Sequence, residues 1–165
     1  MGTGQTLLTI MAMMMLSRMM LSVNNQNAQS GGSIEMAAYR ITATSLGTSV
    51  IEEATGLAFD ELSDTVGISQ PTSFTAATAL GPEHGEVYPH YDDFDDFNGL
   101  HKIDSIAGSA IFATDVKVQY VNISSNVMTV SSSQTYNKEM IVKVSSKYMA
   151  DTLTFYTVMS YWFFR

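Results

Sequence analysis

The residues best suited to chemistry lie in "YPHYDDFDDFNGL", positions 88–100, where Asp92, Asp93, Asp95 and Asp96 crowd together. Four carboxylates so close invite a calcium reading, because hard cations take oxygen ligands. An EF-hand loop, however, sets its ligands at alternate positions, then a glycine and a distant glutamate. Counting from Asp93, the third alternate position is the apolar Phe97, so that loop is not formed. Two readings stay open. These aspartates form a metal site of another geometry, or they belong to a solvated turn. In the second case Phe94 and Phe97 anchor the loop while the carboxylates cap backbone N–H groups.

Other chemistry finds little support. His84, His90 and His101 are the three histidines, and His90 beside Asp92 supplies two metal ligands where a site needs more. Serines abound, but no Gly-x-Ser-x-Gly elbow and no phosphate-cradling glycine loop occurs. Cysteine is absent, which excludes disulfides, a thiolate nucleophile, haem attachment and cysteine-based zinc sites. The chain reads as a non-enzyme without a cofactor. Its 8 basic against 16 acidic residues give a formal net charge of −8. That argues against nucleic acid as a partner, since duplex binding needs a basic stripe to displace counterions. An acidic surface instead suits an extracellular face that keeps copies apart.

The elements that would position these residues are legible in part. Pro71, Pro82 and Pro89 all fall between residues 57 and 108, which reads as a long connection. After Gly108 the hydrophobic period becomes two. Phe112, Thr114, Val116, Val118 and Tyr120 alternate with Ala113, Asp115, Lys117, Gln119 and Val121. "NVMTVSS", "EMIVKVSS" and "DTLTFYTVMSYWFF" continue the pattern, with turn-rich breaks at 124–126 and 131–137. About four antiparallel strands are expected over 109–165, with one face free for a helix. The last strand is apolar on both faces, so its second face should be covered by the long loop or by a neighbour. Asn122 opens an N-glycosylation sequon, Asn122-Ile123-Ser124, and surface Ser and Thr offer O-linked alternatives.

The N-terminal third is of a different kind. From Leu7 to Val23 only Thr9, Ser17, Arg18 and Ser22 are polar. As a helix, Gln5 to Val23 would be roughly 28 Å long, close to the thickness of a hydrocarbon core. A signal peptide carries its basic residues before the apolar run, and here Arg18 lies within it. In lipid that arginine costs several kcal/mol unless it snorkels or pairs. Met11, Met13, Met14, Met15, Met19 and Met20 supply flexible, polarizable surface that repacks against changing neighbours. "NNQNAQSGGS", residues 24–33, combines poor helix formers with Gly31 and Gly32. It reads as a melted segment between helical halves, or equally as a plain linker between an anchor and a soluble domain. Periodicity resumes at Ile34: Met36, Tyr39, Ala43, Leu46, Val50 and Leu57 form one stripe, with Gly47 beside it. Ile34, Ala38 and Ile41 form a second apolar set, so this helix needs two partners. Gly56 is the expected stop.

The run "GQTLLTIMAM" resembles the start of type IV pilins and pseudopilins, through Gly4, Thr6, Leu7 and Leu8. The resemblance implies cleavage after Gly4 and a long helix that bundles into a filament core. Gln5 replaces the usual aromatic residue, and Thr9 falls where the family has its assembly glutamate. With Met1 as the processed terminus, Gln5 would take the glutamate's position instead. Either way the family's charge pair is lost or moved. In a filament Arg18 would meet an acidic group of another copy, Glu35 being the candidate, at an axial offset of about 25 Å; the alternative is that it reaches polar backbone where the helix loosens. "YDDFDDFNGL" resembles the Asp-Asp-x-Asp-Asp-x-x-Gly run of minor pilins of the mannose-sensitive haemagglutinin type. Those proteins also end near an aromatic pair, as "SYWFFR" does here. Residues between about 57 and 88 have no counterpart.

The expected fold is therefore α+β and type IV pilin-like. Residues 1–56 form an assembly helix interrupted near 24–33, packed on a C-terminal antiparallel sheet. Residues 57–165 form the head, a long loop over 57–108 and the sheet over 109–165. The expected function is structural: a homo-oligomeric, helical extracellular filament on the cell surface for adhesion, attachment or motility. Its precursor would be anchored in the inner membrane and handled by pilus assembly machinery, with Gly4, Gln5, Thr9, Arg18 and Glu35 as assembly residues. The alternatives are a minor pilin or pseudopilin of a pilus or type II secretion system, and a membrane-anchored periplasmic binding module. The absence of an aromatic residue before Tyr39 argues against an electron-conducting ring stack.

Overall fold

The computed structural model describes residues 2–65, 67–106, 110–125 and 127–164. Met1, Gly108, Ser109, Asn126 and Arg165 enter the expectations for the processed terminus and for the start, turn and end of the sheet. They lie outside the described residues. The chain divides into two units, Met1–Tyr39 and Arg40–Arg165.

Helix α1 spans Thr3–Thr55 without interruption. The expected melted segment at 24–33 is thus corrected to regular helix. Propagation adds a hydrogen bond for each residue fixed, so isolated poor formers inside a long helix lower its stability without breaking it. Here Ala28, Gln26 and Gln29 are good formers, and Ser33 Oγ donates to the Gln29 carbonyl at 3.0 Å. At Gly31 and Gly32 an added Cβ would meet nothing within 4 Å beyond the helix itself. The helix ends where Gly56 was expected to stop it, and Gly56 N–H closes back on the Glu53 carbonyl at 3.2 Å.

Within the second unit, Ala43, Gly47, Val50 and Ala54 are the buried stripe of α1. Of the expected stripe, Ala43 and Val50 are buried with Gly47 beside them, while Tyr39, Leu46 and Leu57 are half-buried; Met36 is exposed, and Ala54, which was not expected, is buried. The stripe packs on a sheet of five strands: β1 His101–Ser105, β2 Ile111–Ser124, β3 Val127–Val130, β4 Asn137–Ser146 and β5 Leu153–Ser160. All pairings are antiparallel in the order β1-β2-β4-β5, and β3 pairs with the far end of β2. The four expected strands are β2 to β5. The fifth, β1, corrects the reading of 57–108 as loop throughout. "HKIDS" has one large apolar residue, Ile103, and that residue is exposed. The segment becomes a strand because β2 offers it an edge, in the register His101↔Asp115 to Ser105↔Ile111. The last strand is also shorter than expected, ending at Ser160 before a 3₁₀ turn over Tyr161–Phe164.

The inner sheet face carries Phe112, Thr114, Val116, Val118 and Tyr120 from β2 and Met140, Val142 and Val144 from β4, all buried. This is the expected alternation. Phe155 of β5 pairs with Val142 and so shares the face, and its ring meets Gly47 of the helix. On the opposite face of β5, Tyr156 and Val158 are exposed, so the long loop does not cover it. An aromatic group, with Phe59–Phe74 at 4.9 Å and Phe74–Tyr161 at 5.2 Å, closes one end of the core.

Candidate functional site

The two units present two candidate surfaces, and each is built from the sequence upward.

In the first unit, every large apolar side chain from Leu7 to Val23 is exposed, from 51% at Val23 to 77% at Met15. These residues surround the helix. A helix apolar on all sides requires an apolar environment on all sides, a membrane or other protein. Among the described residues, α1 is long and apolar enough to cross a membrane, and its most apolar stretch is unburied. The expected assembly residues line this arm. A side chain added at Gly4 would meet nothing within 4 Å beyond its own helix. Gln5 N–H donates to the Gly2 carbonyl at 2.9 Å. Thr9 Oγ1 donates back to the Thr6 carbonyl at 2.8 Å, so its hydroxyl is satisfied inside the helix. Glu35 accepts from the Tyr39 hydroxyl at 2.7 Å. Arg18 and Glu35 lie on one rigid helix about 25 Å apart along its axis, so they do not meet within a chain.

In the second unit, the acidic stretch is folded inward. Phe94 and Phe97 are fully buried, as the anchoring reading expects, but so are Asp93, Asp95 and Asp96. The solvated turn is therefore corrected. Phe94 N–H donates to the Ala58 carbonyl at 2.9 Å, and Ala58 bridges to Asp93, tying the stretch to the chain leaving α1. Burial forces the backbone to find partners, and the aspartates supply them. Asp93 Oδ1 accepts from the N–H groups of Asp95 at 2.7 Å and Asp96 at 3.2 Å. Asp96 Oδ2 accepts from those of Asp92 at 3.1 Å and Asp93 at 3.2 Å.

Asp95 serves a different partner, which was not anticipated. Lys138 of β4 is fully buried and ion-pairs with both Asp95 and Asp60. Its Nζ donates to Asp60 Oδ2 at 2.9 Å and to the Phe59 carbonyl at 2.6 Å, 4.5 Å from the Phe59 ring centre. Asp60 Oδ2 also accepts from Thr75 N–H at 3.0 Å, and the Tyr120 hydroxyl donates to the Thr75 carbonyl at 2.8 Å. The signal for Lys138 was present in the sequence. It stands on the same strand parity as Met140, Val142 and Val144, so a lysine had to point into the core.

Electrostatics follow from this burial. Burial pushes Asp95 above the ordinary carboxylate range while Lys138 opposes the rise. Burial, reinforced by the charge of Asp95, pushes Asp93 up to about 7. Asp96 is raised by burial and then by Asp93. Glu83 is pushed up to about 8, first by burial and then by the neighbouring Glu86 and Asp96 carboxyls. Tyr120 is raised as well, by burial and then by Asp60.

The structure does not gather Asp92, Asp93, Asp95 and Asp96 around one point. The carboxylates whose oxygens converge are Glu83, Glu86 and Asp96, within 4.8 Å of one another. Glu83 and Glu86 had not been singled out, because only the fold brings residues of the long connection to Asp96. His84 and His90 are exposed, and His101 Nδ1 lies 2.6 Å from Asp115 Oδ1 on the outer face of β1 and β2. Asn122 is exposed on β2 opposite Thr129.

Comparison with known protein families, with curated proteins and with solved structures finds no match for this chain.

Proposed function

We propose that this protein is the structural subunit of an extracellular, type IV pilus-like filament, held in the inner membrane before assembly. The observation that carries the reading is the arm of α1. It is apolar on every side, wholly exposed, and continuous with the helix that carries the α+β unit. A helix of that kind has two favourable destinations, lipid and a bundle of its own copies, and a pilin uses both in turn. Packing of Met- and Leu-rich surfaces drives the second step, because transfer out of lipid gains nothing from water exclusion. Thr9 and Gln5 carry no charge for the family's terminal pair, so Arg18 with Glu35 of another copy takes that role. The resemblance of "GQTLLTIMAM" and "YDDFDDFNGL" to pilins supports the same reading. The acidic head, within a chain of net charge −8, forms the outer sleeve.

Electron microscopy of sheared surface material, with mass spectrometry of the N-terminus, tests this. The expected result is threads in which this chain occurs at every axial step. A chain found only as single copies in bilayers overturns the proposal, and one found sparsely along threads of another protein makes it a minor subunit.

A further inference from the structure

We propose that Glu83, Glu86 and Asp96 form a binding site for one calcium ion on the second unit. This goes beyond filament assembly and does not depend on it.

Three observations converge. The first is geometric. Each of the three residues offers a carboxylate oxygen within 4.8 Å of the others. Oxygens bound to one calcium at about 2.4 Å lie no further apart than about 4.8 Å. Glu83 and Glu86 flank the turn at His84–Gly85, and Glu86 Oε2 accepts from Glu83 N–H at 3.0 Å, which holds the two carboxylates on one side. Asp96 reaches them from the 3₁₀ turn over Asp95–Phe97.

The second observation concerns unsatisfied atoms. Asp96 is fully buried. Its Oδ2 is occupied by two backbone N–H groups, while Oδ1 is buried and meets no N–H donor. Glu83 Oε2 is likewise buried without a donor, so that only a proton shared with the neighbouring carboxyls, or a cation in its place, satisfies these oxygens. A buried carboxylate oxygen left unpaired costs free energy that a cation would recover.

The third is the charge around the cluster. Asp93 acts on Glu83 and Asp96, and Glu61 feels Asp92, Asp93, Glu86 and Asp96, all with the same sign. Lys138, the buried lysine, is taken up by Asp60 and Asp95, and Lys102 pairs with Asp104. The donor set holds oxygen and neither His nor Cys, which selects a hard cation over zinc. Three protein carboxylates leave positions for water, so the affinity belongs with extracellular modules, about 10⁻⁴–10⁻³ M. The bound ion would pin the connection around residue 85 to the Asp95–Phe97 turn, and through Asp95 to Lys138.

The test uses the full chain in detergent, stripped with chelator and then titrated with calcium chloride. Calorimetry should give one calcium per chain, and about 10 mM calcium should raise the melting temperature, by linkage. The Glu83→Gln/Glu86→Gln double variant should lose both effects while melting in chelator no lower than the parent, since it removes repulsion. Sodium chloride at matched ionic strength should not reproduce the shift. If the double variant does not fold, the calorimetric stoichiometry of the parent decides. No saturable calcium binding by the parent, or an unchanged calcium shift in a folded double variant, overturns the site.

Discussion

The Lys138 ammonium of β4 donates to Asp60 Oδ2 at 2.9 Å with neither side chain exposed to solvent. This contact joins the sheet to the chain leaving α1, and the second partner, Asp95, adds the acidic stretch to the same point. Three segments far apart in sequence are thus held by one cation. Desolvation makes such a group a costly way to gain stability but an exacting way to set register.

Replacing that cation should therefore be severe. Lys138→Met leaves Asp60 and Asp95 buried without a counter-charge, and a loss of about 3–5 kcal/mol is expected. Urea unfolding followed by tyrosine and tryptophan fluorescence measures it. A loss under about 1 kcal/mol would mean that water or protonation relieves the two carboxylates.

Gly47 permits the closest approach of helix to sheet. A Cβ there would fall 2.5 Å from Cε2 and 2.6 Å from Cδ2 of Phe155. Gly47→Ala gains about 1 kcal/mol of helix propensity but overpacks the contact by about 1–3 kcal/mol. The expected net result is a lower melting temperature, and Phe155→Leu in the same chain should recover part of it. A stabilised single variant would show that the Phe155 ring moves aside freely.

The pH dependence has a definite sign. Asp93 is held at about 7 and Glu83 at about 8, both above their ordinary values of 3.8 and 4.5. The folded state therefore binds more protons than the unfolded state between these limits. The contribution is complete below about pH 4 and is lost as pH rises through 7 to 8. The groups facing them are Asp95, Asp96 and Glu86, with Lys138 opposing. In chelator, the melting temperature should fall from pH 5.5 to pH 8.5 on the order of several degrees. Asp93→Asn with Glu83→Gln should flatten the profile, and an unflattened profile would assign it to other groups.

The arm should act on assembly alone. Leu16→Glu places a charge on the exposed apolar surface, where burial in lipid or protein costs several kcal/mol. Filaments should be lost, while the melting of the second unit stays within about 0.5 kcal/mol of the parent. Filaments of normal yield would place Leu16 outside the packed surface.

Gly31 and Gly32 lie in helix with open space around them. Replacing both with Ala should stabilise the helix by about 1 kcal/mol each, read as slower amide exchange across residues 24–33. Unchanged exchange would mean that neighbouring residues already hold this stretch.

Periodicity alone was enough to place the buried stripe of α1, its stop before Gly56, and the inner face of β2. These depend on local spacing of apolar side chains, which chain geometry converts directly into faces. The exposed arm was legible for the same reason. "NNQNAQSGGS" stays helical because a long helix propagates through weak formers, a local effect that residue propensities by themselves do not reveal. Two features were decided only by tertiary structure. "HKIDS" becomes β1 because the backbone of β2 offers it hydrogen bonds, whatever its side chains. The acidic stretch turns inward because Lys138, more than forty residues away (Asp95 to Lys138 is 43 positions), waits in the core to receive Asp95. Side-chain spacing is written along the chain, whereas the partner of a buried charge or of an edge strand exists only once distant segments have met.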